Sequence, residues 1–296
     1  KETNRYLAKD WSDFKALPDN GITIGIPRAL EFWSSMPYWR TVFRALGFKV
    51  VLSRQSDYGL FEEGLNSVPS DTVCFPAKLA HGHILDLVNK KVDRIFYPLM
   101  MAIPTEHKND KATAVCPVVQ GYGIVVNHSD EPLARHGVPM DQPIFHWTSP
   151  ELRRSQTLQF FMNNYSLPEN AIKAAIRAAE QSLVDFREAM QADGRRIIAK
   201  AKEEGKFVVV IGGRPYHNDL LVNHHVASHF TAQGIPVITL ESLPGVYEQD
   251  LQLNTRMEVY NSFHSRLISG AMLVAQDPAL ELVQIVSFGC GHDATI

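Results

Sequence analysis

Short apolar runs alternate with amphipathic stretches along the first half of the chain. The spacing predicts three buried strands, at Ile22–Pro27, Lys49–Ser53 and Arg94–Tyr97. It also predicts helices between and beside these strands, at Pro37–Leu46, Leu60–Ser67 and Ala77–Lys90. Because strands that alternate with helices pair in parallel, the pattern predicts an α/β fold with a parallel sheet.

The second half begins with helical periodicity and then returns to the same alternation. Long helices are predicted at Thr148–Asn163 and Glu169–Glu204, the second as one helix or a broken pair. Further strands follow at Phe207–Gly213, Pro236–Leu240 and Leu280–Val286, with helices at Asn223–Gln233 and Thr255–Val274. We therefore expect two Rossmann-like lobes with parallel sheets, joined by long helices. The expected divisions are a lead-in (1–20), a first lobe (21–147), a helical connector (148–205) and a C-terminally truncated second lobe (206–296).

Composition narrows the classes of function. The chain is 45% hydrophobic and 21% charged, with a net charge of −3 and no basic stripe, which argues against a nucleic-acid partner. No apolar run is long enough for a membrane span. Three widely spaced cysteines make no disulfide framework, so the sequence predicts a reducing cytoplasm. The chain starts at Lys1 and ends six residues after Cys290, and we expect it to be cut from a longer polypeptide.

Each cysteine stands in a motif that suits a presented thiolate. Cys74 precedes the helix at Ala77–Lys90, and Cys116 is followed by proline at the start of a helical turn, Pro117–Gly123. A helix N-terminus is expected to lower a thiol pKa. Cys290 follows a strand and lies between glycines, which let backbone approach a bulky group. Three thiolates suit a [4Fe–4S] cluster with one iron open for chemistry.

Other readings of the cysteines stay open at this point. Free cysteine is often simply buried and inert. A zinc site is disfavoured, because 42 residues separate Cys74 from Cys116 and 174 separate Cys116 from Cys290, with no paired clip. A nucleophilic cysteine would need a histidine partner, and His81, His83 and His292 lie near the cysteines in sequence.

Two arginines follow predicted strands and are candidates for substrate or phosphate binding. Arg28 follows the first strand, and Arg214 with His217 follows the strand at Phe207–Gly213. Arginine binds phosphate or carboxylate through two parallel hydrogen bonds, and coenzyme A carries phosphates. The alternative is a structural loop, because the glycine pair before Arg214 is not a dinucleotide fingerprint.

Further side chains near the cysteines in sequence are candidates for the surroundings of a cluster. His81 and His83 could donate to cluster sulfides or move protons, with a core role as the alternative. Gln120 and Tyr122 lie a turn beyond Cys116, and His292 follows Cys290. Trp33 and Trp39 are expected to pack in the core.

Seven motifs occur in an order that resembles one known family. They are Ile24–Leu30, Gly47–Leu52, Pro69–His83, Cys116–Tyr122, Gly213–His217, Phe263–Arg266 and Glu281–Asp293. The chain resembles the uncharacterised domain found beside the activase modules of large 2-hydroxyacyl-CoA dehydratase and activator fusion proteins. That family is related to the cluster-bearing subunits of 2-hydroxyacyl-CoA dehydratases, benzoyl-CoA reductases and double-cubane cluster proteins.

The resemblance implies that Cys74, Cys116 and Cys290 hold one [4Fe–4S] cluster in the cleft between the lobes, for low-potential electron handling in acyl-CoA chemistry. The implied partners are activase (ATPase) domains, other dehydratase domains and acyl-CoA. The chain lacks the acidic, glycine-rich phosphate loop of the activase, so no ATPase activity is expected from this segment. The chain has three cysteines, which is enough for one cluster, so a double cubane would need three further thiolates from elsewhere. The alternative function is a non-catalytic scaffold between activase and dehydratase modules, with an empty metal site.

Overall fold

The computed structural model describes residues 2–11, 13–107, 110–251, 259–287 and 290–293. All strand pairs in these ranges are parallel, which confirms the predicted α/β class. The strands are β1 (Thr23–Ile26), β2 (Lys49–Leu52), β3 (Arg94–Phe96), β4 (Leu99–Ala102), β5 (Met140–Asp141), β6 (Ile144–His146), β7 (Val208–Gly212), β8 (Val237–Thr239) and β9 (Leu280–Gln284).

The helices pack on these strands or connect them. They are α1 (Glu2–Ala8), α2 (Phe32–Ala45), α3 (Tyr58–Gly64), α4 (Phe75–Asn89), α5 (Pro117–Asp130), α6 (Pro132–His136), α7 (Pro150–Asn164), α8 (Glu169–Glu203), α9 (Val226–Ala232) and α10 (Ser262–Val274). Short 3-10 turns at Leu65–Ser67, Pro215–Asn218 and Leu240–Ser242 complete the connections.

The strands form a four-stranded sheet in the order β2-β1-β3-β5, a two-stranded sheet β4-β6 and a three-stranded sheet β8-β7-β9. The first two sheets are joined by a ladder that continues past two prolines. The N–H of Tyr97 donates to Asp141 O at 2.8 Å, and the N–H of Leu99 donates to Pro143 O at 2.8 Å. Pro98 and Pro143 have no N–H to donate, so each divides one extended segment into two short strands.

Strands β4, β5 and β6 were not predicted from the sequence, and the predicted starts of α2, α9 and α10 differ from the observed ones, with α9 beginning at Val226 rather than Asn223. Helix α2 begins at Phe32, five residues before the predicted Pro37, because buried Phe32, Trp33 and Met36 stabilise the extra turn. Residues 259–261 are not helical, so α10 is shorter than predicted, and the predicted start at 255–258 lies outside the described residues. Trp33 and Trp39 are buried in the core, as predicted.

Two main apolar clusters form the interior. The larger one surrounds the first two sheets and contains Trp39, which stacks on Phe145 with ring centroids 5.4 Å apart. The smaller one lies on the third sheet, around Val210 of β7. Helix α8 is one continuous helix of 35 residues, and it contributes Met190 to the first cluster and Ala201 to the second.

Candidate functional site

Cys74 and Cys116 occupy equivalent positions at the start of two helices. Each is the N-cap residue, with extended backbone, and a proline follows in the first turn of α4 and of α5. The predicted placement of both cysteines before helices is confirmed. Helix α5 runs to Asp130, well beyond the short turn that was predicted, because Val119 and Val126 bury one face of it in the core.

The loop before Cys116 is held by two neighbouring segments. The Gln120 side chain donates from Nε2 to the carbonyls of Val115 and Met101, both at 3.1 Å. Ala114 forms isolated bridges to Ala102 of β4 and to Asn261, the N-cap residue of α10. Gln120 therefore positions the backbone around Cys116, which lies between the first sheets and α10.

Cys290 is held from the carboxyl end of β7 by Arg214. The guanidinium of Arg214 donates from Nη2 to Cys290 Sγ at 3.4 Å, from Nε to Asp293 Oδ1 at 2.9 Å and from Nη1 to Tyr216 Oη at 3.1 Å. Arg214 is only 3% exposed. His217 links the same turn to this loop, because its Nδ1 accepts from the N–H of Arg214 and its Nε2 then donates to Ser287 Oγ at 3.0 Å.

The three thiols and Arg214, together called the thiol site, influence one another electrostatically. Burial raises the pKa of Cys74, and the thiols of Cys116 and Cys290 raise it further, whereas Arg214 lowers it. Burial also raises the pKa of Cys290, with Arg214 again acting in the opposite direction. For Arg214, burial favours the neutral form, but Tyr216, Cys116 and Asp293 outweigh it and raise the pKa. Residues far apart in sequence therefore share one electrostatic environment.

The expected lowering of the thiol pKa at a helix N-terminus is wrong for Cys74. The N–H of Ala77 does act in that direction, but burial and the two neighbouring thiols dominate. Within the ranges that the structure describes, no group of three or more His, Cys, Asp or Glu side chains is arranged to hold a metal ion. The thiols thus influence one another electrostatically, but they do not form a closed metal-binding group among the described residues.

A buried chain of hydrogen bonds runs behind Cys74. His81 contacts Asp130 Oδ2 through Nδ1 and Tyr122 Oη through Nε2, each at 2.9 Å. The carboxylate can only accept, so Nδ1 carries the proton and Nε2 accepts from the tyrosine hydroxyl. Cys74 contributes to the raised pKa of Tyr122, about 12, although burial is the larger cause. Tyr122 and His81 therefore lie on the thiol-site side of α4.

His83 and Arg28 lie in a different polar cluster. His83 Nδ1 contacts Ser53 Oγ at 2.8 Å, and burial lowers its pKa to about 3. Arg28 donates from Nε to the Ser53 carbonyl at 2.8 Å, and burial lowers its pKa. His292 is exposed, with its ring 5.9 Å from that of His264. His83 and Arg28 thus bind the end of β2 rather than the thiols.

Three important residues of this region were not singled out from the sequence. Asp293 pairs with Arg214 and accepts from His264 Nε2 at 3.1 Å, and Tyr216 contacts the guanidinium. Burial opposes ionisation of Asp293, but His264 and Arg214 outweigh it and lower its pKa. Tyr216, His264 and Asp293 each belong to one of the seven motifs, and two of those motifs also contain Arg214, His217 and Cys290. Membership of these motifs was therefore a sequence signal that could have identified them.

Parallel sheets, two cysteines at helix N-termini and a third that contacts a buried arginine describe an α/β domain with a candidate thiol site. The chain belongs to the family described as CoA enzyme activase uncharacterised domain, which matches residues 23–243. This match confirms the resemblance drawn from the motifs. Cys74 and Cys116 lie inside the matched residues, and Cys290 lies beyond them. No curated protein matches the chain. Among the described helices, none combines the length and apolarity that crossing a membrane requires.

Proposed function

We propose that the chain is the iron–sulfur domain of a CoA enzyme activase-like protein, with Cys74, Cys116 and Cys290 as ligands of one [4Fe–4S] cluster. The observation that supports this is the placement of the three thiols. Cys74 and Cys116 are the N-cap residues of α4 and α5, and Cys290 Sγ accepts from the buried Arg214 at 3.4 Å. The thiols of Cys116 and Cys290 also raise the pKa of Cys74, which cysteines buried in separate parts of the core would not do.

The donor set fits such a cluster in its chemistry. Thiolates are the ligands that these clusters use, and three of them leave one iron position open. When bound, the cluster supplies one-electron transfer at low potential. Arg214 would donate to the Cys290 thiolate, because a hydrogen bond to a cluster sulfur stabilises the more negative state. The N-termini of α4 and α5 favour negative charge in the same way.

The chain's own residues would exclude water and fix the ligands. Gln120 holds the Cys116 loop, and Arg214 with Asp293 holds the Cys290 loop. In the proposed architecture the residues 21–147 form a first lobe and 206–296 a second, joined by 148–205. The cluster then lies in the cleft between the lobes, with two ligands on one side and one on the other. Because the thiols are not closed on one point, loading should draw the two sides together.

The proposed partners are activase (ATPase) domains and dehydratase domains of the same or a companion chain, with an acyl-CoA as the final electron acceptor. The domain would receive electrons from the activase and relay or use them in reductive or radical acyl-CoA chemistry. The family description, CoA enzyme activase, supports this assignment at the level of the system.

A second candidate is a scaffold between activase and dehydratase modules that holds no metal. It is favoured by the raised pKa of Cys74, since thiols bind metal as thiolates, and by the lack of a closed metal-binding group among the described residues.

Anaerobic reconstitution with iron and sulfide separates the two functions. The iron–sulfur proposal expects a brown protein with about four irons per chain. Each of the variants C74S, C116S and C290S should lose most of this iron, whereas the neighbouring exposed change T72A should keep it. A colourless, iron-free product under conditions that load a known three-cysteine cluster protein would overturn the iron–sulfur proposal and favour the scaffold.

Hydrogen exchange provides a second readout of the ligand set. Loading should slow exchange in the segments Ser70–His83, Ala114–Gly123 and Ser287–Asp293 together, because part of the binding free energy goes into holding the loops. If only the first two regions slow, Cys290 is not a ligand, and the third thiolate must come from another chain or segment.

A further inference from the structure

A cleft of about 610 Å³ opens beside the thiol site and has no assigned role. Phe75 and Pro76, which directly follow Cys74, line one side of it. Ser287, three residues before Cys290, lines the other side together with Val286. The cleft thus extends between the segments that carry two of the three thiols, and its volume lies in the range of small-molecule sites.

The wall of this cleft is mainly apolar. Besides Phe75, Pro76 and Val286, it contains Val222 and Val226. Among its described lining residues there is no Asp, Glu, Lys or Arg, and the basic side chains are two histidines, His224 and His229. A phosphate or a carboxylate would therefore meet no lysine or arginine there, and burying its charge would be costly. The wall favours an uncharged, mainly apolar molecule.

One polar group in the wall lacks a partner. Asn223 is 7% exposed and donates from Nδ2 to the His217 carbonyl at 3.0 Å. Its Oδ1 has no hydrogen-bond partner among the described residues. A buried acceptor without a partner is uncommon and calls for a physical explanation. A ligand N–H or O–H supplies one, once the amide turns toward the cleft.

We propose that this cleft binds an uncharged organic molecule with an apolar chain and an amide or hydroxyl donor, and presents it to the thiol site. The apolar wall receives the chain, and Asn223 Oδ1 accepts from the donor. This binding does not depend on the proposed cluster, because the cleft is formed by the metal-free chain. The two proposals can therefore fail separately.

The test uses the iron-free chain and a series of primary amides, namely butanamide, hexanamide and octanamide. The dissociation constants come from titration by ligand-observed NMR. Binding should tighten about tenfold for every two added methylene groups while the chain fits the cleft. Octanoate should bind at least about tenfold more weakly than octanamide, because its charge meets no lysine or arginine in the cleft. Equal binding of octanoate, or no dependence on chain length, would overturn the proposal.

Two variants of equal exposure locate the site. Val286 in the cleft and Val184 on α8 are each 46% exposed, so V286W and V184W make the same change at similar cost. V286W should weaken octanamide binding at least about tenfold, since it fills the cleft, and V184W should leave it within about twofold. N223L should remove the preference for octanamide over N,N-dimethyloctanamide, which has no N–H donor. Equal effects of the two tryptophans would refute the location.

A further measurement needs no variant. Octanamide at saturation should slow the alkylation of Cys74 by iodoacetamide, because the bound molecule covers the segment that begins at Phe75. An unchanged rate for Cys74 would show that the cleft does not present its ligand to the thiol site.

Discussion

Glu106 is the carboxylate on which three parts of the chain converge. It lies between β4 and α5, and it accepts from Arg266 of α10, with Nη2 2.6 Å from Oε2, and from Arg187 of α8 at 2.5 Å. Arg266 also reaches Glu241 Oε1 at 3.2 Å. Glu106 is 5% exposed at its side chain and Arg266 is 4% exposed. We predict that E106A weakens the packing of the segment that leads to Cys116 against helices α8 and α10.

The expected loss of stability depends on the buried charge that E106A leaves without a partner. Removing one partner of a buried ion pair costs about 3–5 kcal/mol, because the other charge stays buried without compensation. Arg266 keeps Glu241, so we expect the lower end, about 3 kcal/mol. At about 2–4 °C per kcal/mol for chains of this order of size, the melting temperature should fall by about 6–12 °C.

The assay is thermal and urea denaturation followed by circular dichroism, with R154A as the control. Arg154 is 53% exposed at its side chain and pairs with Glu180 at 2.9 Å, so R154A should cost at most about 1 kcal/mol. If E106A costs no more than R154A, the buried network does not stabilise the fold and this reasoning fails.

The pH dependence of the free energy of unfolding tests the same buried ion pair independently. Burial raises the pKa of Glu106, but Arg266 and Arg187 outweigh it, so the folded-state pKa is below the ordinary glutamate value of 4.5. Its contribution is therefore present above about pH 4.5 and is lost as the pH falls. The stability difference between the unmodified chain and E106Q should narrow below about pH 4.5. A stability difference between the two chains that stays constant below about pH 4.5 would contradict this prediction.

Two further predictions concern the helix that begins after Cys74. G82A should cost more than about 3 kcal/mol, because its Cβ would lie 2.1 Å from the Leu60 carbonyl oxygen, whereas G121A meets nothing within 4 Å and should stabilise α5 by up to about 1 kcal/mol. Denaturation midpoints decide between them, and equal effects would contradict the close approach of α3 and α4. Burial lowers the folded-state pKa of His83 to about 3, below the ordinary histidine value of 6.5, so the chain should lose stability as the pH falls from about 6.5 toward 3. H83Q should flatten this loss, and an unchanged slope would show that another group causes it.

Local pattern was sufficient to predict β1, β2 and β3, the helix that begins after Cys74 and the start of the helix after Cys116. Those elements follow from apolar runs and from prolines in first turns. The sequence pattern did not predict the elements that form only through tertiary contacts. Strand β5 has two residues, too few for an alternation, and forms because β3 already offers a ladder beside it.

The candidate site divides in the same way. The three cysteines could be chosen as candidate site residues from the sequence, because their proline and glycine neighbours are visible there. The pairing of Arg214 with Asp293 was not visible, since 79 residues separate them and only the fold brings β7 and the Cys290 loop together. The sequence offered Arg214 as a phosphate-binding residue, whereas in the fold its donors are directed at Asp293, Tyr216 and Cys290.

Helix α8 has a consequence for cooperativity. Its 35 residues span about 52 Å, and the same rigid rod completes the interior around the first sheets with Met190 and the interior of the third sheet with Ala201. Unfolding of either interior removes packing from part of this helix, so we expect the two interiors to unfold in a single transition. A displacement of one sheet relative to the other must then be absorbed by loops, such as those that carry Cys116 and Cys290, while the rod itself keeps its length.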